Sequence, residues 1–130
     1  MRAAVLSARF PDAVVASLRK SKILGIRAGS APHRIIGIWV VVVEGRVFVR
    51  SWSLAPRSWY RTFLEEPRGI IQIDGDEHAV RAINTRSERL KKAVDAAYAE
   101  KYNTPGSKKY VEGFRRSKRR RDTTTELVPA

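Results

Sequence analysis

Four side chains around one short loop have the chemistry to hold an anion. Arg50 and Ser51 close a strand-like stretch, and Arg57 and Ser58 open a helix-like one. Two guanidinium groups and two hydroxyls suit a phosphate, because arginine brings paired N–H donors together with a full positive charge. A helix N-terminus adds unpaired backbone N–H groups and a partial positive charge. The same spacing also fits two solvated surface arginines. Trp52, Trp59 and Tyr60 flank the loop, and aromatic faces stack well on a planar ring. The alternative is that Trp59 and Phe63 only anchor the helix to a sheet. His33 and Arg34 stand just before an apolar run, where Arg34 either reaches a phosphate at a rim or is an ordinary loop residue.

Composition removes several other chemistries. The chain of 130 residues contains no cysteine, so disulfides, thiolate nucleophiles and cysteine-bound metals are excluded. Its two histidines, His33 and His78, are far apart, which argues against a histidine-rich metal centre. His78 lies within a strand pattern and reads as structural. Asp95 and Glu100 flank an alanine-rich helix and do not read as a catalytic carboxylate pair.

The formal net charge is +13 and the pI about 10.9, a balance that attracts polyanions. Much of the charge lies between Lys108 and Arg121, above all in Arg115-Arg116-Ser117-Lys118-Arg119-Arg120-Arg121. Such a cluster suits nucleic acid, although no helix-turn-helix, zinc-finger or RNA-binding signature accompanies it. It also fits an exposed loop. The longest apolar run, Ile35 to Val43, is about half of what a spanning helix needs. The start, Met1-Arg2-Ala3-Ala4-Val5-Leu6, lacks the long apolar core of a signal peptide, so the expected location is cytoplasmic.

The elements that must position these residues follow from periodicity. A helix is predicted over about 11–22, opened by Pro11 and followed by a strand over Ile23–Arg27. Ile35–Val43 is apolar without alternation and predicts one strand covered on both faces. Glu44-Gly45 makes a tight hairpin into Arg46–Trp52, where Val47, Val49 and Ser51 share one face and Arg46, Phe48, Arg50 and Trp52 the other. Arg57–Glu66 reads as a helix stopped by Pro67. Asp74-Gly75 turns a second hairpin. Thr85-Arg86-Ser87-Glu88 fits a capping box opening a long helix, and another helix follows from Pro105 to about Arg116. Thr123–Val128 closes the chain as a strand, with Thr123-Thr124-Thr125 expected at an edge. The size suits one α+β domain spanning 1–130, with the basic segment 108–121 before the last strand.

Taken in order, Pro32-His33-Arg34, Ile38-Trp39-Val40-Val41-Val42, Val49-Arg50-Ser51, Ser58-Trp59-Tyr60-Arg61, Val94 to Tyr102 and Thr124 to Pro129 resemble a bacterial family of unknown function. That family is similar to the deazaflavin-dependent nitroreductases and, more distantly, to the pyridoxamine-phosphate-oxidase-like flavoproteins. The resemblance implies an antiparallel split β-barrel of the FMN-binding kind with flanking helices. It also implies a homodimer and a phosphate-bearing cofactor, FMN or a deazaflavin of the F420 type, in a groove between subunits. Carried onto this chain, Arg34, Arg50, Ser51, Arg57 and Ser58 hold the phosphate, while Trp39 and Val49 lie near the ring. The family's glycine-rich, serine-containing loop survives loosely as Arg27-Ala28-Gly29-Ser30, and Thr62 stands where an asparagine is usual. The function so implied is that of an oxidoreductase-like protein. A basic nucleic-acid module on a barrel scaffold and a cofactor-free structural relative are the rival readings.

Overall fold

A computed structural model describes residues 9–130; the N-terminal Met1–Leu6 patch lies outside them. The chain runs through α1 (Asp12–Lys20), β1 (Leu24–Ala28), β2 (Ile36–Ile38), β3 (Val41–Val43), β4 (Arg46–Val49), α2 (Trp59–Glu65), β5 (Arg68–Ile73), β6 (Asp76–Asn84), α3 (Glu88–Lys101), α4 (Lys108–Arg116), α5 (Lys118–Arg121) and β7 (Thr125–Pro129). The strands form one antiparallel sheet in the order β2-β1-β5-β6-β7-β4-β3. The architecture is α+β. No helix among the described residues is long and apolar enough to cross a membrane.

The apolar run Ile35–Val43 corrects the expectation of a single covered strand. It divides into β2 and β3, which sit at opposite edges of the sheet with only Trp39 and Val40 between them. Three residue steps span at most about 11 Å, so the sheet must curl until its edges nearly meet. Successive residues of the run therefore serve different surroundings. Ile36 is 41% exposed, whereas Val40 and Val41 are buried. Val40 belongs to a core shared by α1, α2 and the strands, and Val41 to a second core under α3 and α4. The absence of alternation came from this edge-to-edge crossing, not from burial on both faces.

A strand that is covered on both faces is β4. Its Val47 and Val49 enter the first core and Phe48 the second, as a period of two requires. Both hairpins form as expected, with Glu44-Gly45 (φ 56° and 73°) and Asp74-Gly75 (φ 52° and 82°) in the left-handed conformation that two-residue turns demand.

Two local expectations need correction. Ser87, not Thr85, caps α3 by accepting a hydrogen bond from Leu90 N. The Thr85 amide is committed to Thr124 O across the sheet, and Glu88 pairs with Arg121 rather than reaching back to the helix start. The threonine run is not at an edge either. β7 lies between β6 and β4, and Thr123, Thr124 and Thr125 are buried. Their hydroxyls are satisfied locally by the carbonyls of Arg120, Arg121 and Thr123, which lets polar residues line an interior.

A latch holds the β2–β3 crossing. Lys101 Nζ donates to Leu18 O at 2.9 Å and Val40 O at 2.8 Å. Tyr102 Oη donates to Lys22 O at 2.7 Å and accepts from Val40 N at 3.0 Å. Burial, then the nearby Lys22, pulls the Lys101 ammonium down from 10.5 to about 8.

Two outcomes are expected. With the folded value of Lys101 depressed, the unfolded chain holds the extra proton, so stability rises with pH between about 8 and 10.5 and is lost on the way back down. Urea midpoints should show this rise in the wild type, and Lys101→Met should flatten it. At Gly69 an added Cβ would stand 2.3 Å from Arg27 O and 3.0 Å from Phe63 Cε1, whereas at Gly106 nothing lies within 4 Å. Gly69→Ala should cost about 1–3 kcal/mol or more by overpacking, and Gly106→Ala under about 0.5 kcal/mol, as read by chemical denaturation.

Candidate functional site

The crossing residue Trp39 forms one wall of a cavity of about 670 Å³. Its indole stacks on Tyr102 with centroids 4.1 Å apart and planes at 7°. Trp52 lines the cavity as well and meets Tyr110 and Phe114 edge-on at 5.0 and 5.6 Å. Trp52 also lies so close to α4 that a Cβ on Gly113 would stand 2.5 Å from its ring. Arg120 holds the outer face of that indole, its guanidinium 4.0 Å from the ring and its Nε donating to Trp52 O at 2.9 Å. Ile36, Ile38 and Trp59 complete an apolar, aromatic interior.

A second cavity of about 180 Å³ is lined by Arg27, His33, Arg34, Arg57 and Thr62. Ile36, Arg57 and Trp59 line both cavities, so the two meet there. Among the described residues no carboxylate pairs with Arg27, Arg34 or Arg57. The large cavity is therefore apolar, and its smaller neighbour carries uncompensated positive charge.

The residues expected at the site divide accordingly. Trp39, Arg50, Ser51, Arg57 and Ser58 line the large cavity, and Arg34 joins Arg57 at the small one. Val49 lines neither and is fully buried in the first core. Arg50 reaches the wall, but its guanidinium is turned inward. It donates from Nε to Thr124 Oγ1 at 2.8 Å, from Nη1 to Asp95 Oδ1 at 2.6 Å and Phe114 O at 3.2 Å, and from Nη2 to Lys91 O at 2.9 Å. Four of the five N–H groups of a guanidinium are thus engaged. Burial lowers the pKa of Arg50, and the Asp95 carboxylate opposes that shift. The Ser51 hydroxyl donates to Ser53 O, and Ser58 Oγ caps α2 by accepting from Arg61 N. The positive charge open to a ligand belongs to Arg27, Arg34 and Arg57.

Tyr110 and Phe114 were not singled out from the sequence, and Arg27 entered it only as the start of the loop Arg27-Ala28-Gly29-Ser30. Tyr110 and Phe114 are four residues apart on α4 and so share a face, a signal that periodicity did offer. That loop did not mark the Arg27 side chain as a cavity residue, because its place depends on β1 lying beside β2. Among the described residues no group of three His, Asp or Glu side chains is arranged to hold a metal ion. His78 packs edge-on against Phe10 with centroids 6.2 Å apart, a structural role.

In the basic segment, Arg115 and Arg116 pair with Glu112, Lys118 with Asp122, and Arg121 with Asp95 and Glu88. It is a pair of short helices held to α3, not a loose loop.

Removing each arginine should separate scaffold from site. Arg50→Leu leaves Asp95 and three acceptors without their buried partner and should cost about 3–5 kcal/mol in denaturation. Arg57→Ala, at an exposed residue, should cost under about 0.5 kcal/mol.

A family model described as "Uncharacterized protein conserved in bacteria (DUF2255)" matches residues 14–127. Among solved structures, the crystal structure of the conserved hypothetical protein Rv2991 from Mycobacterium tuberculosis is similar, with a TM-score of 0.58 and 13% identity, covering 95% of this chain and 82% of that one. That likeness is one of fold. No curated protein matches the chain.

Proposed function

We propose that this protein, which belongs to the family of uncharacterized proteins conserved in bacteria (DUF2255), binds a planar, phosphate-bearing cofactor of the flavin or deazaflavin class as an oxidoreductase-like protein. The observation that carries this reading is the position of Arg57, shared by an aromatic cavity and a cationic one. A volume of about 670 Å³ falls within the range of small-molecule sites. Trp39 and Trp52 offer two aromatic walls to a ring system, and Arg27, Arg34 and Arg57 offer charge to a phosphate at its end. The curled sheet is compatible with a split barrel of the FMN-binding kind, which is the finer fold assignment within this proposal.

Such a cofactor, when bound, supplies hydride transfer at its ring. The chain's own residues position it and exclude water from the aromatic pocket. Arg50 supports the wall rather than the ligand. FMN and F420-type deazaflavins both carry a planar ring and a phosphate, so the same two cavities serve either.

A homodimer is part of the proposal. Ile36, Trp52 and Tyr110 line the large cavity and are 41%, 40% and 39% exposed; Ile23, beside Gly37 on the neighbouring edge, is 53% exposed. A second copy covering this apolar rim would close the cavity from the open side.

The test is a tryptophan-fluorescence titration with FMN, with riboflavin and with an F420-type deazaflavin. FMN or the deazaflavin should quench the emission. Riboflavin, lacking the phosphate, should bind more weakly than FMN. Each contact to the phosphate is worth about 1.5–3 kcal/mol, so Arg57→Ala should weaken FMN binding about 10- to 100-fold. In Arg34→Ala/Arg57→Ala the advantage of FMN over riboflavin should vanish. Absence of binding by both FMN and the deazaflavin would leave the cofactor-free reading.

A further inference from the structure

A groove of about 620 Å³ on the helical side lies apart from both cavities, bounded by α3, α4 and α5. Lys92, Arg115, Arg116, Lys118 and Arg121 line it, over a floor of Ala96 and Ala99. We propose that this groove binds the phosphodiester backbone of nucleic acid without reading its bases.

The charges there do not balance. Arg50, Lys91 and the five lining cations share four carboxylates, Glu88, Asp95, Glu112 and Asp122. Asp95, the one carboxylate in the lining, is bound from beneath by the buried Arg50 and from the side by Arg121, so its charge is neutralised within the protein. Lys92 has no ionic partner among the described residues. Folding thus gathers a positive excess where like charges repel, and an external polyanion would relieve it.

The kind of anion follows from exposure and lining. The side chains of Arg116 and Lys118 are 74% and 88% exposed, and single contacts from such groups are worth little. A free phosphate would gain almost nothing, whereas a polymer sums many contacts and releases its condensed counterions. No aromatic side chain lines the groove to stack on bases, and the small alanines let a backbone come close. None of the exposed large hydrophobic side chains lies there either, which favours a nucleic-acid strand over insertion into a lipid surface.

The test uses the full chain and a fluorescein-labelled duplex of about 20 base pairs, read by anisotropy over a salt series. Four exposed cations predict a slope of log K against log salt of about −3 to −4. Lys92→Glu/Arg116→Glu should weaken binding about tenfold or more and flatten the slope by about two. Arg68→Glu/Arg81→Glu makes the same charge change on the β5–β6 face, where the two residues are cross-strand neighbours, and should leave affinity within about threefold of the wild type. Equal losses in the two variants, salt-independent binding, or binding only to phosphatidylserine vesicles would each overturn the proposal. FMN titration of the Lys92→Glu/Arg116→Glu variant should match the wild type, which separates this groove from the cofactor cavity.

Discussion

One buried cation organises this molecule. The Arg50 side chain has no exposure, yet its hydrogen bonds reach the lead into β7, the middle of α3 and the C-terminal turn of α4. A charge in that position is tolerated only when paired and fully hydrogen-bonded, and losing any partner strands the rest. The positions of α3 and α4 on β4 are fixed together by this requirement. Asp95 is held in turn by Arg121, which ties in α5 as well.

The cavity is a consequence of the same constraint. Because Arg50 holds Phe114 O, α4 lies where Phe114 and Tyr110 face the stacked Trp39–Tyr102 pair. Gly113 then allows Trp52 to pack against the helix backbone and line the cavity. At the smaller cavity, β1 and the loop before β2 bring Arg27 and Arg34 to the same lining as Arg57, and among the described residues no carboxylate pairs with them. An apolar interior beside uncompensated charge is what a ring bearing a phosphate would fill.

The sequence showed its local structure well and its long-range pairing poorly. Hairpins at Glu44-Gly45 and Asp74-Gly75 were legible because a two-residue turn with positive φ needs particular residue types. The helices at Asp12, Trp59 and Glu88 were legible through apolar spacing and breakers. The split of Ile35–Val43 was not, since a run crossing between sheet edges looks the same as a strand buried on both faces. Arg50 and Arg57 looked equivalent for a related reason. Spacing placed both near one loop, but only the packing of α3 and α4 decides that one is enclosed and the other open. The central position of β7 was hidden likewise, because threonines satisfied by their own turn resemble an edge.

A crystal structure of the protein grown with FMN tests the central claim most directly. The isoalloxazine should lie in the cavity lined by Trp39 and Trp52, with the phosphate within hydrogen-bond distance of Arg57 and of Arg34 or Arg27. A phosphate bound by Arg50 instead, with its contacts to Asp95 and Thr124 broken, or an aromatic cavity filled by the chain's own side chains, would contradict it.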